Sequence, residues 1–479
     1  MNLKKMKLKT LLLFFALTMG FQPFLQAQQQ VVLSGKAPEY AGYQIELYRY
    51  ADPISEEKQL LTRLAIATDG SFQAELSLRE TTWAFATFDA YQASLFLEPG
   101  QQYELIFPPL KPVPPSQKRS AFFEADEISF VLKNSTPQEL NRQIEAFELA
   151  YFKEESRYFN QIYHQQSQAA VDSLNKRLLQ AFPPTSNTYF ERYKFYRLAF
   201  AEFILHQGES KQFIQTYFIA QKPDLAIPPC AQLFKQVFSN QFEFEGNKIQ
   251  GTNFKRLVGQ ANLAGIEAYL ISENGWNSEL SRLVILQAIN DAYFQGKFSQ
   301  RSLLSLLTKI KASSWEQNKK DIAQRLKAKL TYLQQGSQAP QFSMTDFKGQ
   351  QHLLADFAGK YVYLNFTRVS NPICRQHLDQ LKSLEAPLQQ ELQILNLIMH
   401  DEAEKQAIIS QQNWLGTFYV VDEQTADKYR ISNFPIAYLL DPAGKLVLSP
   451  APNPLDGFEQ HFINLLRKKH LEKQRHQTR

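Results

Sequence analysis

The 479-residue chain is 44% hydrophobic and 13% aromatic, a composition that supports several folded cores and excludes a wholly disordered chain. Its two cysteines are too few for a disulfide scaffold or a cysteine-based zinc module. The net charge of +5 comes from the two ends, where residues 1–27 hold four lysines and residues 467–479 hold six basic residues against one acid. The body between them is net acidic, so no nucleic-acid partner is predicted.

Residues 1–27 have the pattern of a secretory signal peptide. The four lysines precede an apolar run from Leu11 to Phe21, and Ala27 is a small residue at the expected cleavage site. A membrane anchor is the alternative, but the run is short for a span. No cysteine follows it, so a lipoprotein is not predicted. We therefore expect a periplasmic or otherwise extracytoplasmic protein, without stable membrane insertion after cleavage.

Residues 28–115 are predicted to form an antiparallel β-sandwich. Short segments such as Val31–Gly35 and Tyr43–Tyr50 alternate apolar and polar residues with a period of two. Five prolines between Pro108 and Pro115 then end the sheet pattern.

Residues 135–335 are predicted to be helical. Ser135 offers a helix cap with Pro137 close behind, and apolar residues then recur at helical spacing. No fixed repeat length is visible, so a solenoid is not predicted. The many phenylalanines and tyrosines are interpreted as core residues.

Residues 336–470 change to alternating strands and helices, and residues 471–479 form a basic tail. The apolar run Tyr361–Phe366 predicts a buried central strand, followed by a helix from Asn371 to about Gln390. A second apolar strand begins at Leu392. Alternating elements followed by a hairpin and a helix predict an α/β domain of thioredoxin type.

Four motifs in this segment occur in a specific order. They are Gly336 through Gly349, Asn365-Phe366 followed by Cys374-Arg375, the segment from Tyr429 to Pro435, and Asp441 through Lys445. In sequence and spacing the segment resembles the TlpA/ResA-like thiol–disulfide oxidoreductases of the thioredoxin superfamily. The resemblance implies a thioredoxin fold, and it covers a little over a quarter of the chain.

The chain departs from this family at the active-site motif. The family carries Trp-Cys-x-x-Cys-Arg, whereas this chain reads Ser370-Asn-Pro-Ile-Cys-Arg375. Asn371 thus replaces the attacking cysteine, and Cys374 keeps the second, resolving position. Disulfide exchange needs one thiolate to attack and a second thiol to release the mixed disulfide. The sequence therefore predicts that dithiol chemistry is lost.

Two readings of Cys374 remain open. It is either a small buried residue, or a monothiol that oxidises or forms mixed disulfides. Asn371 is a good helix cap and Pro372 suits the first helical position. His377 lies one turn after Cys374, where it either assists the thiol or is a structural histidine.

Phe434-Pro435 corresponds to the family's cis-proline segment. The resemblance implies that this loop faces the active-site helix and offers a backbone edge to an extended peptide, a contact that needs no cysteine. Phe434 would add an apolar wall. The alternatives are that Pro435 only shapes the core, or that its peptide bond is trans.

The sequence supports no cofactor and no metal. His400 and Asp401 lack a third ligand nearby, and Cys230 is not expected to pair with Cys374. The leading hypothesis is an envelope component that binds an unknown protein or peptide partner. The alternative is a monothiol redox enzyme, peroxidase-like or thiol-exchanging, that acts through Cys374. Neither the partner nor the oligomeric state is predicted.

Overall fold

The computed structural model describes residues 28–113, 124–133, 135–206, 211–249, 251–384, 386–431 and 433–477. The predicted signal peptide, residues 1–27, lies outside these ranges. Within them, no helix combines the length and apolar character needed to cross a membrane. The chain divides into a first unit, residues 1–111 with 125–302, and a second unit, residues 112–124 with 303–479. The division into three domains stays a prediction.

The strands of the first unit form two sheets that share one hydrophobic core. The sheet orders are β4-β1-β7-β9 and β3-β2-β5-β6-β8. Leu33 and Leu105 of the first sheet and Leu47 and Leu95 of the second are fully or almost fully buried in this core. The strands are β1 (Gln29–Lys36), β2 (Gln44–Tyr50), β3 (Lys58–Ala65), β4 (Ser71–Leu78), β5 (Thr82–Phe88), β6 (Tyr91–Leu97), β7 (Gln102–Ile106), β8 (Asp126–Ser129) and β9 (Val131–Lys133).

The expectation of purely antiparallel pairing is wrong at two places. β1 pairs with β7 in parallel, and β6 pairs with β8 in parallel. Strands joined by a tight turn must run antiparallel, but these pairs are separated by long stretches of chain that let the second strand return in the same direction. Apolar residues at every second position indicate which side chains lie on the buried face of a sheet. They do not indicate whether the neighbouring strand runs parallel or antiparallel.

Helices fill the rest of the first unit, as predicted for the middle of the chain. α1 begins at Leu140 and not near Ser135, because the Glu139 carboxylate caps it by accepting a hydrogen bond from the Arg142 amide at 3.0 Å. The helices are α1 (Leu140–Phe159), α2 (Gln168–Ala181), α3 (Thr188–His206), α4 (Lys211–Ile214), α5 (Pro228–Val237), α6 (Gln241–Asn247), α7 (Gly251–Gly259), α8 (Leu263–Asn274) and α9 (Ser278–Ala292). Helix α10 (Gln300–Ala312) begins in the first unit and continues into the second.

The second unit contains a seven-stranded mixed sheet with the order β11-β10-β14-β13-β12-β15-β16. Its central strands β12, β13 and β14 are parallel, and all six residues of β12 are buried, as its apolar sequence predicts. The elements are α11 (Gln317–Thr331), β10 (Ser343–Thr345), β11 (Gln351–Leu353), β12 (Tyr361–Phe366), α12 (Pro372–Leu381), α13 (Ala386–Glu391), β13 (Leu392–Met399), α14 (Gln406–Gln412), β14 (Thr417–Val421), α15 (Glu423–Lys428), β15 (Ile436–Leu440), β16 (Leu446–Ala451) and α16 (Phe458–Gln477).

The helix predicted from Asn371 to about Gln390 is wrong in its length. It ends at Leu381, and the separate short helix α13 begins at Ala386. Pro387 explains the break, because a proline cannot continue a helix from the preceding turn but is tolerated in a helix's first turn.

Candidate functional site

The candidate site lies at the carboxyl ends of two neighbouring parallel strands. β12 ends at Phe366 and is followed by residues 367–371, which we call the β12–α12 loop. β13 ends at Met399 and is followed by a short turn of 3₁₀ helix, His400–Lys405. Because β12 and β13 are paired in register, these two connections leave the sheet at the same edge, where α/β folds place their binding sites.

Asn371 caps helix α12, and this prediction is confirmed. Its side-chain oxygen accepts hydrogen bonds from the backbone amides of Ile373 at 2.8 Å and Cys374 at 3.4 Å. Pro372 occupies the first helical position. The amide of Asn371 therefore satisfies two backbone donors that a helix start would otherwise leave without partners.

Cys374 is completely buried. Burial is the main cause that raises the pKa of its thiol, and the negative charge of Glu402 acts in the same direction. Hydrogen bonds with the Arg368 backbone and with the Thr367 side chain lower the thiol pKa, but the net shift remains upward. Cys374 is thus held as a neutral thiol rather than as the thiolate that nucleophilic chemistry requires.

His377 is buried on the same inner side of α12 as Cys374. Burial lowers the pKa of its imidazole, and the Asp456 carboxylate opposes this only in part. Nδ1 of the ring is buried without a hydrogen-bond partner. Among the described residues no side-chain hydrogen bond joins the imidazole to the Cys374 thiol. The two predicted neighbours share a helix face without forming a thiol–imidazole pair.

Glu402 is a site residue that the sequence analysis missed. Its side chain accepts hydrogen bonds from the backbone amides of Val369 at 2.5 Å and Ser370 at 3.0 Å, and from the Ser370 hydroxyl. The residue is only 3% exposed. No local pattern could have shown this, because an acid among charged neighbours in a turn normally faces solvent and its partners here lie more than thirty residues away.

Two arginines complete the support of the β12–α12 loop. Arg368 donates to both carboxylate oxygens of Asp401, at 3.0 and 3.3 Å. Arg375 donates from Nη1 to the Val369 carbonyl oxygen at 2.9 Å. Asp401, which with His400 lacked a third metal ligand in the sequence, is paired with an arginine. The described residues include no group of three or more side chains that could hold a metal ion.

The peptide bond between Phe434 and Pro435 is cis, as predicted. The Phe434 ring is half-buried and packs against the core of the second unit. The Arg368 guanidinium lies over this ring, 5.1 Å from its centre. The proline loop therefore lies beside the β12–α12 loop. Ile373, in the first turn of α12, is 55% exposed and presents an apolar side chain at the same end of the domain.

Cys230, the other thiol of the chain, belongs to helix α5 of the first unit and is also fully buried. Burial raises its pKa to about 12, and the Tyr196 hydroxyl opposes this only in part. Both cysteines are free thiols. That Cys230 does not pair with Cys374 stays a prediction.

Comparison with known proteins places the segment that carries Cys374 among thioredoxin-like proteins. Residues 335–449 match the AhpC/TSA family. The thioredoxin-like protein YneN of Bacillus subtilis is 30% identical over 117 residues, which are 23% of this chain and 68% of that protein. The thiol-disulfide oxidoreductase ResA of Geobacillus kaustophilus is 29% identical over 115 residues, 23% of this chain and 66% of that protein. The solved thioredoxin domain of a Bacteroides vulgatus thiol-disulfide oxidoreductase is 26% identical and covers 28% of this chain and 96% of its own, with a TM-score of 0.24.

Proposed function

Because the chain belongs to the ResA-like thiol–disulfide oxidoreductase family of thioredoxin-fold proteins, we propose that it is an exported member that has lost dithiol chemistry. In its place the domain binds a protein or peptide partner of the cell envelope. The proposal of export is supported by the lysines and apolar run of residues 1–27.

The capping role of Asn371 carries this proposal. Its side chain stands where the family has its attacking cysteine, and its oxygen accepts two backbone hydrogen bonds. An amide cannot attack a disulfide, and a single thiol cannot release a mixed disulfide within the domain. The alternative of a monothiol enzyme acting through Cys374 has less support, because that sulfur is buried and its pKa is raised.

The binding surface that we propose consists of Ile373, Phe434, Pro435 and Arg368. Ile373 is exposed, Phe434 and Pro435 are half-buried, and the Arg368 guanidinium covers the Phe434 ring. Apolar side chains with a rim of satisfied polar groups are typical of surfaces that bind an extended peptide segment. None of these contacts requires a reactive thiol.

Turnover of insulin disulfides tests the loss of chemistry. With dithiothreitol as the recycling reductant, we expect the protein without residues 1–27 to show no rate above the uncatalysed reaction. Asn371→Cys supplies the missing thiol and should give measurable reduction. Asn371→Ser is the matched control, because serine keeps the helix cap but adds no thiol. Wild-type turnover comparable to that of Asn371→Cys would refute the proposal.

Two residues of equal exposure test the binding surface. Ile373 and Leu353 are each 55% exposed, and Leu353 lies on the edge strand β11 rather than at the site. We expect Ile373→Asp to abolish the capture of a partner from an envelope extract, while Leu353→Asp retains it. Equal capture by both variants would show that the partner, if one is caught, does not use this surface.

A further inference from the structure

Helix α1 of the first unit has two apolar faces, and only one of them is buried. Ile144, Phe147 and Tyr151 form the inner face and are fully or almost fully buried. Leu149 and Phe152 lie on the other side of the helix and are 66% and 68% exposed. Large apolar side chains at helical spacing normally face a partner, so this outer face needs an explanation.

The outer face continues beyond the end of α1. Phe159 is the last residue of the helix, and Tyr163 lies in the single π-helical turn that follows, Asn160–His164. Both side chains are exposed, and their rings stack with centres 4.6 Å apart. The turn therefore keeps Tyr163 on the face of Phe159. We call the whole strip the α1 seam, and its members are Leu149, Phe152, Ser156, Phe159 and Tyr163.

The members of the α1 seam have the spacing of a coiled-coil interface. They recur at alternating intervals of three and four residues, which are the a and d positions of a heptad. The buried residues of α1 lie on the opposite side of the helix, so the seam is available to a second helix. This spacing predicts that a helix packs lengthwise along α1 rather than contacting it at one point.

The two flanks of the α1 seam carry opposite charges. Glu148 and Glu155 occupy g positions on one flank, whereas Lys153 occupies an e position on the other flank with Arg157 beside it. In a parallel pair of identical helices, the g flank of one copy meets the e flank of the other, so Glu148 of one copy meets Lys153 of the other. Arg197 binds the Glu148 carboxylate, yet 33% of that side chain remains exposed. A surface whose own flanks are complementary fits a second copy of the same chain.

The area of the α1 seam agrees with the needs of a dimer. Its four large side chains together expose on the order of 450 Å² of mainly apolar surface. A symmetric pair buries this area twice, and the charged flanks bring the total to about 1,000 Å² or more, the size at which specific interfaces begin. Contiguous apolar patches of this size usually mark an interaction site.

We propose that the α1 seam is a homodimer interface, in which the α1 helices of two copies pair in parallel with Ser156 near the two-fold axis. The inference goes beyond the proposed peptide surface and does not depend on it, because α1 belongs to the first unit and that surface to the second.

Sedimentation equilibrium of the protein without residues 1–27 tests this proposal, since it removes the apolar run of the predicted signal peptide from the measurement. We expect the mass to rise with concentration from one copy to two, with a micromolar dissociation constant. Phe152→Asp places two charges in the symmetric interface and should raise this constant at least about tenfold. Phe294→Asp is the matched control, because Phe294 is 71% exposed and lies after α9, outside the seam.

The control variant should dimerise as the wild type does. A single-copy mass at every concentration up to about 100 µM would overturn the proposal. So would a Phe152→Asp variant that associates as tightly as the wild type, or equal weakening by both substitutions.

Cross-linking tests which residues lie at the axis. Ser156→Cys places an accessible thiol in the seam, whereas Cys230 and Cys374 are buried. A short bismaleimide, whose two double bonds each add one thiol, should therefore link two copies of this variant. Ser299→Cys, at an exposed position outside the seam, should stay unlinked. Equal linking of the two variants would contradict the proposed interface.

Lys153→Glu tests the parallel orientation. It places a second acid opposite Glu148 of the other copy, so the dissociation constant should rise, and added salt should reduce the difference from wild type. In an antiparallel pair the e flanks would face each other, and removing a lysine from both would not weaken the dimer. Unchanged or tighter association of Lys153→Glu would therefore overturn the parallel pairing.

Discussion

His377 shows how one buried side chain makes stability depend on pH. The imidazole packs on the inner side of α12, and burial lowers its pKa below the ordinary value of 6.5. The unfolded chain therefore binds a proton at a higher pH than the folded chain does. Neutral His377 makes its full contribution to the free energy of unfolding above about pH 6.5. This contribution decreases as the pH falls toward the lower pKa of the folded state.

We therefore predict that the free energy of unfolding falls below about pH 6.5, and that His377→Gln makes this fall less steep. Glutamine removes the titration while it keeps a polar side chain of similar length. Urea unfolding at a series of pH values between 5 and 8 measures the effect. His461→Gln, at an exposed position of α16, is the control and should leave the pH profile unchanged. Parallel profiles for wild type and His377→Gln would contradict the prediction.

At the level of elements, the central strands β12 and β13 are joined by a buried pair of asparagines. Asn365 and Asn396 are register partners, and Asn365 Nδ2 donates to Asn396 Oδ1 at 2.9 Å. Asn396 Nδ2 in turn donates to the Leu415 carbonyl oxygen at 2.9 Å. A shift of one residue between the strands would leave these amides without partners in an apolar core, so the pair favours the observed register.

A double-mutant cycle tests this pair. Asn365→Val or Asn396→Val alone leaves a buried amide group without its partner and should cost about 1–3 kcal/mol. The double replacement removes both groups, so its cost should be smaller than the sum of the two single costs. Urea unfolding of the four proteins measures the coupling energy. Additive losses would show that the hydrogen bond does not contribute.

The sequence predicted those elements that depend on local signals. The apolar run of β12 and the cap at Asn371 can each be read from a few adjacent residues, whereas the cis bond at Pro435 was implied by the resemblance to the TlpA/ResA-like family. The break after Leu381 had a local signal in Pro387 that the longer helical pattern obscured. The contact of Glu402 with the β12–α12 loop could not be predicted, because it joins residues that become neighbours only when β12 pairs with β13.

The whole molecule contains two compact units, and each holds one buried thiol. Cys230 belongs to the first unit and Cys374 to the second. Each unit has its own fully buried leucines, such as Leu233, three residues after Cys230 in helix α5, and Leu364 in the central strand β12. Because a fully buried thiol reacts only when the structure around it opens, the two sulfurs report on the two units separately.

We predict that the two units unfold independently. Leu364→Ala should cost the second unit about 2–5 kcal/mol, as is usual for large-to-small replacements in a core. It should lower the urea midpoint for labelling of Cys374 and leave that of Cys230 unchanged, while Leu233→Ala should have the reverse effect. Peptide mass spectrometry after brief maleimide labelling at each urea concentration gives both curves from one sample. If either substitution shifts both midpoints equally, the units form a single cooperative structure, and independent unfolding is refuted.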